Sequence, residues 1–353
     1  MPKAMTATLT FAQRLVTWQR QHGRSDLPWQ NPRTPYRVWV SEIMLQQTQV
    51  QTVRGYFQNF MTRFPDLPSL AHAHLDEVLA AWSGLGYYSR ARNLHRCAQI
   101  VWAEWAGELP QRADQLQTLP GIGPSTAAAI ASLCHGEPVA ILDGNVKRVL
   151  SRWLAFDQEV QSVKSQQALR LAGQDLLPTS RADMPAFTQG LMDLGAMLCK
   201  PKSADCAHCP VNSDCQAHRQ GEALSFPRKG KALKRQSASW WLLVLRNDRG
   251  EVGLTQRPPT GVWAGLWCCP MFAQEDEACQ HAHAWLGAEV SPVWASPVKH
   301  VLTHRDWWLN WGHVLVKGSP KFKGQGPITW WPIQQALQLG LPQPVRQQLQ
   351  AGL

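Results

Sequence analysis

Residues 119–130 read LPGIGPSTAAAI, and after a short connector residues 142–150 read LDGNVKRVL. Leu119 and Pro120 lead into a Gly121-Ile122-Gly123 turn, and Pro124 suits the first turn of a helix, where its missing N–H has no intrahelical partner to lose. Thr126, Ala127, Ala128, Ala129 and Ile130 continue that helix, so the stretch predicts a helix, a tight glycine turn and a second helix. Two glycines let a ligand approach the backbone, and the unpaired N–H groups of a new helix start favour an anion, phosphate above all. On these residues alone an ordinary glycine turn between packed helices stays open. Asp143 precedes Gly144 and Asn145 at what reads as the next helix start, where a carboxylate serves at least as an N-cap.

Together the two motifs resemble the helix-hairpin-helix, Gly/Pro and Asp signature of the base-excision DNA glycosylases. The resemblance implies a hairpin over 112–133 that grips DNA backbone through Gly121, Gly123 and Ser125, with Asp143 in the active site and Asn145 contacting substrate beside it.

The rest of the chain fits a large protein with a polyanionic partner. Its 353 residues suffice for two or more domains with real cores, and 44% hydrophobic content argues against disorder. A net charge of +10 suits nucleic acid, although a solvated basic face is common. The start, MPKAMTATLTF, lacks the pattern of a secretory signal, and no apolar run is long enough for a membrane span. A monomer of the cytoplasm or bacterial nucleoid, with no membrane partner, is expected. Nine cysteines, an odd number, argue against a disulfide framework.

Residues 8–22 predict a packing helix stopped by Gly23, and the prolines of DLPWQNPRTPY (26–36) predict a loop. A helix over 36–50 follows, with Val38, Ile43, Leu45 and Val50 placed to bury and Glu42 among them. A glutamate so placed is most often solvated or salt-bridged. Here SEIMLQQTQV (41–50) resembles the corresponding segment of MutY-type adenine DNA glycosylases, and the resemblance implies that Glu42 is the catalytic acid. It also implies that Gln47 wedges into the duplex near the extruded base, with Thr48 beside it. Short helices broken at Pro65, Pro68 and Gly84-Leu85-Gly86 are expected over 50–105. Tyr87 and Tyr88 read equally as core aromatics, but in the resemblance Tyr87 matches an aromatic inserted into the stack beside the opposing purine. Arg90 and Arg92 read as surface arginines or phosphate contacts.

Residues 145–198 are helical by pattern and end in Cys199, Cys206, Cys209 and Cys215, spaced C-x6-C-x2-C-x5-C. Four thiolates so close in sequence call for a metal centre, and structural zinc satisfies the spacing as an iron–sulfur cluster does. The resemblance to endonuclease III and MutY families implies a [4Fe-4S] cluster in a loop over 199–215, whose Lys200 and Lys202 offer charge to phosphates. Cys97, Cys134, Cys268, Cys269 and Cys279 lack ligand spacing.

The fold class expected is a mainly α catalytic region, 1–218, of helix-hairpin-helix glycosylase type with a four-cysteine cluster loop, joined by a basic linker, 219–237, to an α+β domain, 238–353. In that last domain SWWLLVLR and EVGLTQR predict strands, with helices near 274–286 and 333–349. LTQRPPTGVWAGLWCCPMF (254–272) resembles the start of the MutT-like domain that MutY enzymes carry. AQEDEACQHAHAWL does not reproduce the pyrophosphatase helix of MutT enzymes, so recognition without nucleotide hydrolysis is expected there. The loop Lys299-His300-Val301-Leu302-Thr303-His304 resembles the MutY loop that contacts 8-oxoguanine, with Leu302 and Thr303 where phenylalanine and serine are usual. Threonine keeps the hydroxyl and leucine loses an aromatic face. An ordinary strand-end loop is the alternative reading.

The implied reaction is hydrolysis of the N-glycosidic bond of adenine flipped out of double-stranded DNA from a pair with 8-oxoguanine or G. Ser125 stands where bifunctional relatives carry a Schiff-base lysine, which implies a monofunctional enzyme leaving an abasic site; Lys147 remains as an adventitious amine. Departing adenine must be protonated while the sugar gains positive charge, so Glu42 should be neutral and Asp143 ionised. An ordinary glutamate is protonated only about once in 500 at pH 7, so an apolar pocket that raises the Glu42 pKa is predicted. A glycosylase for another base, or a DNA-binding or redox-sensing protein on the same scaffold, are the competing readings; Ser125 weighs against the first, and paired acids against the second.

Overall fold

The computed structural model describes residues 9–228, 230, 235–286, 290–303, 305–320 and 327–351. It forms two compact units, Met1–Ala71 with Arg96–Lys231, and His72–His95 with Ala232–Leu353. Helices in chain order are α1 Phe11–His22, α2 Pro35–Leu45, α3 Val50–Arg63, α4 Leu67–His72, α5 Leu75–Ala81, α6 Ser89–Glu104, α7 Ala113–Leu116, α8 Pro124–His135, α9 Gly144–Trp153, α10 Val163–Gln174, α11 Met184–Met197 and α12 Gln216–Arg219. Strands β1 Gln236–Asn247, β2 Glu251–Gln256, β3 Trp267–Cys268 and β4 Met271–Phe272 precede α13 Glu275–Leu286. After it come β5 Val293–Trp294, β6 Val298–Val301, β7 Arg305–Val316, β8 Thr329–Pro332, α14 Ile333–Ala336 and α15 Gln343–Gln350.

In the first unit each helix around the site begins on a residue suited to the place. Thr10 and Gln13 make a reciprocal capping box for α1. Thr34 caps α2, whose Pro35 needs no N–H partner. Gly123 starts α8 without a side-chain cap, and Gly136, at φ +63°, closes it in a left-handed turn that glycine adopts without strain. α8 buries an almost unbroken apolar run, Ala127 to Ala131, and packs against α2 and α11. α11 in turn packs on α1 and α9. The helical stretch expected over 145–198 is three helices, because Ala155 turns left-handed after α9 and Pro178 falls between α10 and α11.

The second unit contains an eight-stranded sheet ordered β3-β2-β1-β7-β5, with β4 on β1, β6 on β7 and β8 on β2. Its spine is the parallel pair β1 and β7, in register from Gln236↔Arg305 to Asn247↔Val316; the other pairings are antiparallel. α13 covers one face, where Ala278 and Ala282 pack on Leu243, Leu245, Phe272, Val314 and Val316. The single helix expected near 333–349 is two, α14 and α15, because Gly340 and Pro342 fall between them.

Gly195 shows how tightly α11 seats the α9 segment. A Cβ at this position lies 2.6 Å from the Asn145 Cβ and 3.1 Å from the Asn145 Cα and carbonyl oxygen, so backbone must move to admit it. Gly195→Ala is expected to lower stability by about 1–3 kcal/mol in urea unfolding, despite the better helix propensity of alanine.

Candidate active site

Glu42 sits near the end of α2 at a small cavity walled by Leu27, Trp29, Val38, Leu45, Leu133 and Met192. Glu42 is half-buried as a residue, yet protein surrounds its carboxyl closely enough to push its pKa up to about 8. Burial is the larger cause and the charge of Asp143 the second. The two carboxyls therefore meet electrostatically although 100 residues of sequence separate them.

Asp143 is the N-cap of α9, its Oδ1 accepting the Val146 N–H at 2.7 Å. Burial raises its pKa too, but the N–H groups of Val146 and Asn145 and the charges of Arg148 and Lys147 oppose the shift. The helix start thus favours the ionised form of Asp143, whereas the forces on Glu42 favour the neutral form. Burial raises the pKa of both carboxyls, and only Asp143 has donors and cations that counter it.

Sequence reasoning passed over the polar wall of this cavity. Arg24 donates through Nε and its backbone N–H to the fully buried Asp193, at 2.7 and 2.9 Å, and Gln189 Nε2 donates to Asp193 Oδ1 at 2.9 Å. Gln30, in the proline loop before α2, turns a buried amide toward the same space, and neither Oε1 nor Nε2 has a hydrogen-bond partner among the described residues. Only its tryptophan-flanked place in an otherwise polar loop hints at this.

The helix expected over 36–50 ends at Leu45. Gln47 follows at φ +59°, exposed on a left-handed turn, with Thr48 beside it. Gly121 takes φ +79° at the hairpin turn, while Gly123 is extended and open to solvent at the start of α8. The Ser125 hydroxyl is buried there, without a partner among the described residues. Asn145 accepts from Arg148 Nη2 at 2.8 Å, and Lys147 Nζ donates to Gln166.

The four cysteines line one cavity, and burial first, with the charge of neighbouring cysteines after it, raises the pKa values of Cys206, Cys209 and Cys215. No group of three His, Cys, Asp or Glu side chains among the described residues is arranged to hold a metal ion. Four thiol donors on one cavity wall are the donor set of a tetrahedral zinc ion and of an iron–sulfur cluster alike. Arg152, 2% exposed, lies under the loop, donating to Cys199 Sγ at 3.2 Å, the Lys200 carbonyl at 2.8 Å and the Phe226 carbonyl at 3.1 Å. Arg148 reaches the Cys199 and Gly195 carbonyls at 2.8 and 2.7 Å.

In the second unit Tyr87, Leu302 and Thr303 line a cavity of about 490 Å³ together with Trp263 and His300. Thr303 Oγ1 donates to the Tyr87 hydroxyl at 2.8 Å. Arg235 holds the Leu302 and Thr303 carbonyls and pairs with Asp306. His304 lies outside the described residues.

Residues 40–174 match the HhH-GPD superfamily of base excision DNA repair proteins, and residues 241–351 match the NUDIX domain. The adenine DNA glycosylase of Buchnera aphidicola subsp. Baizongia pistaciae is 32% identical over 343 residues, covering 96% of this chain and 95% of its own. The chain belongs to the adenine DNA glycosylase family. The human adenine DNA glycosylase is 35% identical over 82% of this chain and 63% of its own length. Among solved structures, a thermostable thymine-DNA glycosylase aligns with a TM-score of 0.53 at 25% identity, covering 60% of this chain and 95% of that one. An endonuclease III–DNA complex gives 0.50 at 20% identity over 60% and 94%, which shows the shared helical fold. Family membership makes the chain a DNA glycosylase of base excision repair, with the helical fold in its first part and a NUDIX-type sheet domain in its second.

Arg152→Met removes the buried cation under the cysteine loop and strands the carbonyls it serves. Stability is expected to fall by about 2–4 kcal/mol in urea unfolding, with limited proteolysis gaining a cut within 199–215.

Proposed function

We propose that this chain hydrolyses the N-glycosidic bond of adenine paired with 8-oxoguanine or G, as a monofunctional glycosylase. The observation that carries the reading is the Glu42–Asp143 pair of largely enclosed carboxyls: burial raises the pKa of both, but only Asp143 has N–H donors and cations that counter the shift, and Glu42 lies beside a cavity. The Gln30 amide supports adenine as the guest, since one donor and one acceptor side by side complement the purine N1 and N6–H₂ edge. Glu42 gives its proton to the adenine ring, at N7, and the C1′–N9 bond breaks with its electrons going to the base. Asp143 stabilises the cationic sugar electrostatically. Water adds to C1′ and loses a proton to the Glu42 carboxylate, which restores the acid and leaves an abasic site.

Gln47 and Tyr87 fit as wedges in the duplex, since both project from left-handed, exposed positions. In this reading Gly121, Gly123 and Ser125 take a phosphate at the start of α8 through backbone N–H groups, and Asn145 sits by the sugar. Thr303, with Leu302 and His304, is the proposed reader of 8-oxoguanine. Cys199, Cys206, Cys209 and Cys215 would hold a [4Fe-4S] cluster, which supplies a clip for the loop and no step of the hydrolysis. The domain scheme of 1–218, 219–237 and 238–353 divides chemistry from lesion reading, and a monomer suffices for both.

The test is single-turnover release of adenine from 8-oxoguanine·A, G·A, T·A and G·T duplexes, with Asp143→Asn as control. Fast release from 8-oxoguanine·A, lost in the control, is expected; equal release from G·A removes the reader assignment, and no release removes the reaction. A Glu42→Gln protein with full activity removes the acid.

The pH dependence follows from the same pair. Glu42 acts as acid only while protonated, so the rate should fall as pH rises through about 8; Asp143 acts only while ionised, so the rate should also fall in acid. A folded-state pKa above the unfolded one means that Glu42 ionisation opposes folding progressively from the ordinary carboxylate range up to about 8. Glu42→Gln should therefore melt higher than the parent at pH 8.5, by about 1–3 kcal/mol of stability, with little difference at pH 4.

A further inference from the structure

Arg90 is expected from sequence to face solvent or phosphate, and it does neither. It is 9% exposed, and its guanidinium carbon lies 5.5 Å from the Trp82 ring centroid and 5.2 Å from that of Tyr87. Nη2 donates to the Leu85 and Gly86 carbonyls at 3.3 and 3.2 Å, and the Arg90 backbone N–H closes onto the Tyr87 carbonyl at 2.9 Å. Trp82 Nε1 donates to the same Gly86 carbonyl at 3.2 Å, so the two clamping side chains share an anchor.

What they clamp is an unfavourable turn. Gly84, Gly86 and Tyr87 stand at φ +103°, +74° and +49°. Glycine tolerates such angles, but a bulky tyrosine needs surrounding structure to hold it there. Tyr87 is nevertheless 42% exposed, so packing on its outer side does not supply that restraint. The inner face of its ring meets the buried guanidinium, and the Thr303 hydroxyl bonds its tip.

We propose that Arg90 is a positioning residue, a buried cation clasped between Trp82 and Tyr87 that holds Tyr87 in its projecting left-handed conformation. Its use in DNA rests on the reading of Tyr87 as a wedge; its hold on Tyr87 does not. Burial lowers the Arg90 pKa to about 10, which leaves the guanidinium charged at neutral pH for a cation–π contact. Lysine keeps the charge without the planar fork, so it replaces only part of the clamp.

The chain has four tyrosines, Tyr36, Tyr56, Tyr87 and Tyr88, so the full-length protein labelled with 3-fluorotyrosine gives four ¹⁹F resonances, with Tyr87 assigned by Tyr87→Phe. In Arg90→Met the Tyr87 resonance should move to the position of a solvent-averaged fluorotyrosine while Tyr36 and Tyr56 stay in place; Arg90→Lys should move it part of the way. An unchanged Tyr87 resonance in a folded Arg90→Met protein, or in Arg90→Lys should Arg90→Met not fold, overturns the proposal. The second arm uses a duplex with 2-aminopurine beside the opposing G. Tyr87→Ala and Arg90→Met should each reduce the fluorescence rise on binding, weaken apparent affinity about three- to tenfold, and show no further loss when combined. Losses that add in full assign Arg90 a separate contact and overturn its action through Tyr87. A normal signal from Tyr87→Ala, with the resonance of Arg90→Met displaced, removes the wedge reading and leaves the clamp standing.

Discussion

A carboxylate can stay charged inside a protein only where fixed dipoles replace the water it has lost, and the first unit is arranged around one such place. Asp143 obtains those dipoles by being the first residue of a helix rather than a member of one, so its oxygens face the N–H groups of Asn145 and Val146. That requirement fixes the direction of α9, and the direction of α9 fixes the contact with Gly195 on α11. Glu42 is placed in the opposite way, inside a helix whose backbone N–H groups are committed to the turns before them, at a cavity that apolar side chains wall in part. Two groups of nearly the same intrinsic acidity thus meet different surroundings, the helix-start N–H groups with Arg148 and Lys147 in one case and burial beside another carboxyl in the other.

Having fixed α9, the fold uses its length. Arg148 and Arg152, farther along α9 from Asp143, reach the carbonyls of Gly195, Cys199 and Lys200 and the Cys199 sulfur. A buried arginine is costly unless its donors are occupied, so the loop around the cysteines is held where those carbonyls converge. The cysteine loop and the aspartate are therefore tied to one helix, which gives the loop at residues 199–215 a physical route to the geometry of the site.

The legible parts of this architecture are those that local backbone rules impose. The glycine turn at 121–123, the proline at the first turn of α8, the Asp143 cap and the breaks into β-strand after residue 236 all follow from neighbours in sequence. The apolar setting of Glu42 is visible in the spacing of Val38, Ile43 and Leu45, but its depth is not, because Leu27, Trp29 and Leu133 come from other segments. Gln30, Arg90 and Arg152 were beyond reach for the same reason. Each reads as an ordinary polar residue until distant segments bury it, and burial reverses what its polar atoms mean. The long helices expected over 145–198 and 333–349 fail at single residues, where a left-handed alanine or a proline outweighs a continuous apolar period.

Left-handed backbone at non-glycine residues shows where this chain spends stability for shape. Gln47 and Tyr87 both take it, and both are exposed. A residue at that angle interrupts the helix or turn that carries it and throws its side chain outward from a base that cannot follow. The helix ends at Leu45 in one case, and the pair of glycines at 84 and 86 forces the turn in the other. Under the proposed wedge role this rigidity helps, since a side chain that enters a stack of bases loses less entropy if its backbone has no other conformation to leave. Trp263 holds the same conformation at φ +59° but is 7% exposed, packed on His300 and Trp307. There the strained residue shapes a cavity wall instead of a projection, and the difference lies in whether aromatic neighbours close over the ring or, as with Arg90 beneath Tyr87, support it from one side only.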